Sequence, residues 1–177
     1  MPNEIQSSGG RFHFNDDWEF FDTQNITYRY DNDVVITWEG KSCNGLAVMN
    51  RGRGSLIYGS EGSMMLDRNG YILYDRKGKE IEQVKEVAPS ATINTVGAGR
   101  LDTYHFQNFL DGIRNNTKLN PPIDIGAISV DLGHLANISQ FTGESLRLDS
   151  KSGNILNSPK ALKMLGREYE PGWEPRI

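Results

Sequence analysis

Two arginines and two asparagines fall within one glycine-rich stretch, GKSCNGLAVMNRGRG over residues 40–54. Guanidinium and amide groups such as Arg51 and Arg53 with Asn44 and Asn50 are donors suited to polyol hydroxyls or to a carboxylate. A solvated basic loop is the plain alternative. The three histidines, His13, His105 and His134, are scattered, and with the single Cys43 they show no zinc-ligand spacing. His105 stands beside Tyr104 near the start of a helical stretch, where it suits a first-turn position or a pocket. His134 falls mid-helix beside an apolar stripe, the usual place of a packed histidine bonded to a backbone carbonyl. The acids Asp16, Asp17, Glu19 and Asp22 could pair two carboxylates for acid–base work, although a solvated acidic loop explains them more simply.

Glycine spacing gives no nucleotide signature. Gly97-Ala98-Gly99-Arg100-Leu101-Asp102 has the first two glycines of G-x-G-x-x-G, but Asp102 stands where the third belongs and no apolar strand precedes it. Gly52-Arg53-Gly54 fails the same test, and neither GxxxxGK[ST] nor G-x-S-x-G occurs. No catalytic, cofactor-binding or metal-binding residue is assigned within the chain.

The elements that would position these groups follow from periodicity. A length of 177 residues favours one compact unit over residues 1–177. A net charge of -4 removes the electrostatic case for nucleic acid or an anionic membrane. No run of about 18 apolar residues is present. The first residues show no basic segment followed by an apolar one, so a soluble protein is expected, cytoplasmic or periplasmic according to what precedes Met1.

Residues 1–24 are polar, with Gly9-Gly10 as a hinge and the aromatic residues Phe12, Phe14, Trp18, Phe20 and Phe21 requiring a packing site. Ile26, Tyr28 and Tyr30 alternate with polar residues, Asp31-Asn32-Asp33 turns, and Val34 to Trp38 returns, which is a hairpin. Further strands are expected at 55–58, 63–66, 71–74 and 80–87, with turns at Gly59–Gly62, at Asn69-Gly70 in the type I′ form, and at Lys77-Gly78. Together they predict one meander of about six or seven strands.

After Pro89 to Gly99 the period becomes helical. Phe106, Phe109, Leu110 and Ile113 share one face behind a cap at Asp102 or Thr103. Ile128, Leu132, Leu135 and Ile138 share another, on a helix that Gly143 closes. Leu146 to Asp149 reads as a short strand, Ser158-Pro159 as the start of a last helix ending at Gly166, and the Trp173 tail as packing through its rings. The fold class is α+β: an open, mostly antiparallel sheet with helices packed on one face, a two-layer sandwich.

In chain order, GGRFHFNDDWEFFDTQNITYRYDNDVVITWEGKSCNG, LIYGSEGSMML, YHFQNFLDGIRNNTKLN, DIGAISVDLGHLANISQFTGESLRLD and the YEPGW tail resemble the C-terminal domain of the glucose-fructose oxidoreductase, inositol dehydrogenase and MocA-like oxidoreductases. The resemblance implies a parent in which an N-terminal Rossmann domain binds NAD or NADP, while this domain contributes an open sheet, part of the substrate pocket and an oligomer interface. The family's nucleotide fingerprint, its Glu-Lys-Pro motif and its catalytic Asp or His have no counterpart here, so the chain resembles a truncation, inactive alone and without a cofactor of its own.

By the same resemblance Asn50, Arg51 and Arg53, in the loop before Gly59-Ser60-Glu61-Gly62, and Tyr104 and His105, opening the later helix, are the expected contacts to a small sugar-like or polyol substrate. The family often has tyrosines where this chain has Met49 and Arg51, which leaves the substrate class open. The expected partners are further copies of the chain, through the sheet face, and the missing Rossmann domain. The competing reading is a stand-alone binding or assembly module that self-associates through a sheet face drawn from Tyr28, Tyr30, Trp38 and Tyr58. An unrelated enzyme using carboxylates of the Asp16–Asp22 loop is the remaining alternative.

Overall fold

The computed structural model describes residues 1–85 and 100–174. Among the described residues eight strands form two four-stranded antiparallel sheets, with three helices, so the fold is α+β as expected. The strand pattern favoured one meander, but the strands divide between two sheets. Met1–Asn44 with Ile123–Ile177 form the first compact unit, and Gly45–Pro122 the second. The cause lies between Lys41 and Ser55, where the only pairing is an isolated bridge from Val48 to Arg51, so the ladder stops and a new one starts.

In the first unit the strand order is β3-β2-β1-β8, with β1 Glu4–Gly10, β2 Thr23–Arg29, β3 Val35–Lys41 and β8 Leu146–Arg147. Periodicity does not reveal β1, because EIQSSGG carries one large apolar residue, Ile5. Pairing makes it a strand: every residue from Glu4 to Gly10 is matched against β2, from Arg29 back to Thr23. Gly9 is the point of close approach and not a hinge, since a Cβ there would lie 2.0 Å from the Thr23 carbonyl oxygen.

Ile5, Ile26 and Tyr28 share a sheet face and are buried with Leu135, Ala136 and Ile138 of α2, which spans Ile123–Thr142. Leu146, Leu148, Ile155 and Ala161 complete this core. Tyr28 therefore belongs to the interior and not to an open face; its hydroxyl donates to the Leu132 carbonyl at 3.1 Å, and burial raises its pKa to about 12. The expected α2 stripe is buried only in its later half, and Ile128 stays 46% exposed.

Strand β8 covers β1 only at Glu4 and Ile5. Beyond that point side chains of α2 take over. Ser139 Oγ accepts from the Ser7 amide at 3.1 Å and donates to the Glu144 carbonyl at 2.7 Å, and Gln140 Nε2 donates to the Gly9 carbonyl at 2.9 Å. Gly143, with φ 71°, closes the helix as expected, its amide reaching the Ser139 carbonyl at 2.9 Å. Ser158 caps α3, Pro159–Leu162, but that helix ends at Lys163 and does not reach Gly166. Phe20 and Phe21 pack on Phe141, whereas Trp173 remains 79% exposed, and the ring contact of its segment is local, Arg167 lying over Tyr169.

The second unit runs in chain order through β4 Ser55–Tyr58, β5 Gly62–Asp67, β6 Gly70–Asp75 and β7 Glu80–Lys85, with α1 at Arg100–Asn115. The β5–β6 turn is Arg68-Asn69 and not Asn69-Gly70. Asp67 pairs with Gly70, only Gly70 has positive φ, and the Asp67 carboxylate accepts the Asn69 amide at 2.7 Å, which favours the ordinary turn over its mirror image. Both faces of this sheet carry large apolar groups: Ile57, Leu66, Leu73 and Val84 on one, Leu56, Tyr58, Ile72 and Tyr74 on the other. Helix α1 has the expected period, but Phe106, Phe109 and Ile113 are exposed.

Ser139→Ala removes the acceptor for the Ser7 amide and the donor to Glu144 in a side chain 1% exposed. The expected loss is about 1–3 kcal/mol in urea unfolding, the cost of leaving buried polar groups unpaired, with faster hydrogen exchange at the Ser7 amide.

Candidate functional site

The basic stretch that drew attention in the sequence is built on a tight hairpin. Met49 and Asn50 both have positive φ, 51° and 61°, and Val48 and Arg51 exchange backbone hydrogen bonds of 3.0 and 2.9 Å across them. This is the two-residue turn that suits asparagine, because its short polar side chain tolerates the left-handed region. Asn50 occupies the turn with its side chain exposed. Arg51 is folded back on β5, its Nη1 2.9 Å from Asp67 Oδ2 in a largely buried ion pair. Its guanidinium thus ties the hairpin to the sheet.

Just after this hairpin a cleft of about 640 Å³ opens in the second unit, lined by Arg53, Gly54, Ser55, Leu66, Asp67, Arg68, Gly70 and Leu101. Its walls come from the start of β4, the β5–β6 turn and the first turn of α1. Arg68 Nη2 reaches both carboxylate oxygens of Asp102, at 3.1 and 3.2 Å, and so joins that turn to the helix. Among the described residues Arg53 has no hydrogen-bond or ionic partner. It is the one residue of the five expected contacts that lines the cleft. Tyr104 and His105 follow Leu101 on α1 but lie outside the lining, exposed, with the His105 ring next to Phe106. Ser55, Arg68 and Leu101 escaped the sequence reading. Their only signal was adjacency to Gly54, to the Asn69-Gly70 pair and to the helix start.

In the first unit the acidic loop has a structural explanation. The Asp22 carboxylate accepts the backbone amides of Phe12, His13 and Phe14 at 3.0, 2.9 and 3.1 Å and the Thr23 hydroxyl at 2.9 Å. Three successive amides aimed at one carboxylate form an anion nest. They hold its pKa far below the usual carboxylate range, the His13 amide contributing most. Asp16 is bound by Arg11 and by the Trp18 amide, and its pKa is lowered, chiefly by the Arg11 hydrogen bond. Asp22 and Asp16 therefore anchor the loop that presents Trp18, and they do not form a pair facing a common substrate.

His134 is exposed, contrary to the packed position expected of it. Cys43 is half-buried, with its sulfur 4.0 Å from Thr23 Oγ1. Among the described residues no group of three or more His, Cys, Asp or Glu could hold a metal ion. The Gly97-Ala98-Gly99 segment lies outside the described residues.

No family model matches the sequence, and no curated protein matches it. Solved structures do match the fold. An oxidoreductase from Agrobacterium radiobacter, solved with NAD+, L-tartaric acid and magnesium, superposes with a TM-score of 0.61 at 11% identity, over 82% of this chain and 43% of its own. A Thermotoga maritima protein described as an oxidoreductase gives 0.60 at 16% identity, over 84% and 41%, and Bacillus subtilis YvaA, similarly described, gives 0.55 at 15%, over 84% and 47%. The chain has the fold of a segment of these proteins. It spans less than half the length of each of these proteins. The resemblance read from the sequence thus holds at the level of the fold.

Asp22 sets a pH dependence whose sign is fixed by its lowered pKa. The folded state binds the Asp22 proton more weakly than the unfolded chain, so the nest stabilises fully above the unfolded value of about 3.9 and is lost as pH falls through the folded value. Asp22→Asn is expected to be less stable than the parent at pH 7, with the gap in thermal midpoint constant above about pH 5 and narrowing below about pH 4, as followed by circular dichroism.

Proposed function

We propose that this chain is the substrate-side and oligomerisation domain of a nicotinamide-dependent sugar or polyol oxidoreductase of the glucose-fructose oxidoreductase, inositol dehydrogenase and MocA-like family. The observation that carries the reading is the fold, shared over more than four-fifths of the chain with oxidoreductases less than half of whose length it spans. A dinucleotide needs a glycine turn between a parallel strand and a helix, with the pyrophosphate at the helix N-terminus. The described residues do not fit that requirement. Every ladder among them is antiparallel, and α2 is entered from the segment after α1, not from a strand. The reading therefore puts cofactor binding and hydride transfer outside these residues, and this chain's part is to bind and orient substrate.

No helix among the described residues is long and apolar enough to cross a membrane. The apolar groups left uncovered are instead suited to protein contact. An antiparallel sheet ordinarily keeps one face for the core and one for water, whereas β4–β7 carries Leu56, Tyr58, Ile72 and Tyr74 on one face and Ile57, Leu66 and Leu73 on the other. This favours self-association through the face that bears Tyr58, which is 76% exposed. The same observation supports the assembly-module reading, which differs only in dispensing with a nucleotide-binding partner.

Two measurements test these points. Purified alone, the 177 residues are expected to show no NAD(P)H turnover with sugar or polyol substrates and no saturable nucleotide binding by calorimetry, and either activity would overturn the reading. Light scattering after size exclusion is expected to report a dimer or larger species, with Tyr58→Asp shifting it toward monomer. A strict monomer at high concentration removes the oligomerisation role.

A further inference from the structure

We infer that the Arg53 cleft binds a small organic anion, a carboxylate carried on an apolar body, with Arg53 receiving the charge. The anion is a ligand of this cleft in its own right, distinct from the sugar or polyol of the substrate-side reading.

Charge comes first. Among the described residues three arginines, Arg51, Arg53 and Arg68, meet two aspartates, Asp67 and Asp102, in and around the cleft. Each aspartate is already claimed: Asp67 by Arg51 and the Asn69 amide, Asp102 by Arg68. Arg53 is left with a full positive charge and a fork of five donors, in a chain whose net charge is -4. A carboxylate matches that fork in two parallel charge-assisted hydrogen bonds, stronger than those a neutral hydroxyl can accept from it.

The rest of the lining describes the body of the ligand. Leu66 and Leu101 supply apolar wall, Gly54 and Gly70 bring backbone to the surface without side-chain bulk, and the Ser55 hydroxyl, which engages no described residue, can meet one polar substituent. A volume of about 640 Å³ exceeds what a bare inorganic anion fills and lies within the usual range for small organic ligands, roughly 300–1,000 Å³. Two ion pairs belong to the elements that line the cleft: Arg51–Asp67 ties the preceding hairpin to β5, and Arg68–Asp102 joins the β5–β6 turn to the start of α1.

The test uses the full chain and amide chemical shifts. Sodium hexanoate is expected to shift the Gly54, Ser55 and Gly70 amides saturably. Hexan-1-ol, which keeps the body and lacks the charge, and inorganic phosphate, which keeps charge and lacks the body, are each expected to bind at least about tenfold more weakly, a factor that corresponds to one charge-assisted hydrogen bond or a few buried methylenes. Arg53→Gln should weaken hexanoate by a similar factor and leave hexan-1-ol unchanged. Arg53→Lys, which keeps the charge, should bind hexanoate more tightly than Arg53→Gln, and this comparison stands even if one variant folds less well. Equal binding of hexanoate and hexan-1-ol, equal binding of phosphate, shifts confined to other residues, or hexanoate binding indifferent to Arg53 would each overturn the inference. None of these readouts involves a nucleotide or the oligomeric state. A failed titration therefore strikes the anion assignment alone, and nucleotide binding by the chain strikes the domain reading alone.

Discussion

The burial of Ile5 is the constraint on which the first unit turns. This side chain is fully buried on β1, opposite Tyr28 of β2 and Leu146 of β8, under the later half of α2. Its strand has little else to bury: Gln6, Ser8 and the glycines offer no apolar area, so β1 is held by one side chain and a ladder of backbone hydrogen bonds. Where β8 ends, that ladder would leave unpaired groups beside a packed helix, an expensive state in an apolar setting. Ser139 and Gln140 meet those groups from α2, and Ser7 and Gln24 continue the polar seam toward Asn137. Apolar packing fixes where the helix sits along the sheet, and the seam fixes its rotation.

The second unit has a different logic. Its strands follow one another through short turns, and their pairing is local. Its hairpins are set by residues that accept particular backbone angles: Met49-Asn50 in the left-handed region, Gly70 beside the Asp67 cap, and Gly78 at φ 81°, where Asp75 gathers the Lys77 and Lys79 amides. The aspartates at these turns serve twice. Asp67 caps a turn and holds Arg51, and by occupying Arg51 it leaves Arg53 as the residue with donors to offer.

What could be read in advance follows the same division. Strands with period-two patterns, the two long helices and the Ser158 and Gly143 caps were legible, because each rests on residues within a few positions of one another. Strand β1 was not, since its evidence is a register with β2 some twenty residues away in the chain. The split into two sheets was hidden for a related reason: strand periodicity says which residues are extended and not which strands are neighbours. At the cleft, Arg53 could be singled out by type and setting. Leu101, Arg68 and Ser55 could not, because they are brought together only by a turn and a helix start far apart in sequence. The roles of Asp22 and Arg51 depended on partners that spacing does not reveal, three backbone amides in one case and an aspartate on another strand in the other.

The first unit is discontinuous along the chain: residues 1–44 and 123–177 belong to it, with the whole of the second unit inserted between β3 and α2. During synthesis, which runs from the N-terminus, the β1–β3 ladder leaves the ribosome well before the helix that covers it. Its apolar face must wait through the making of 78 intervening residues, Gly45 to Pro122, while the inserted meander has every strand partner at hand as it emerges. The later segment of this unit thus closes the earlier one, and β8, only two residues long, reaches β1 after the inserted meander has been made.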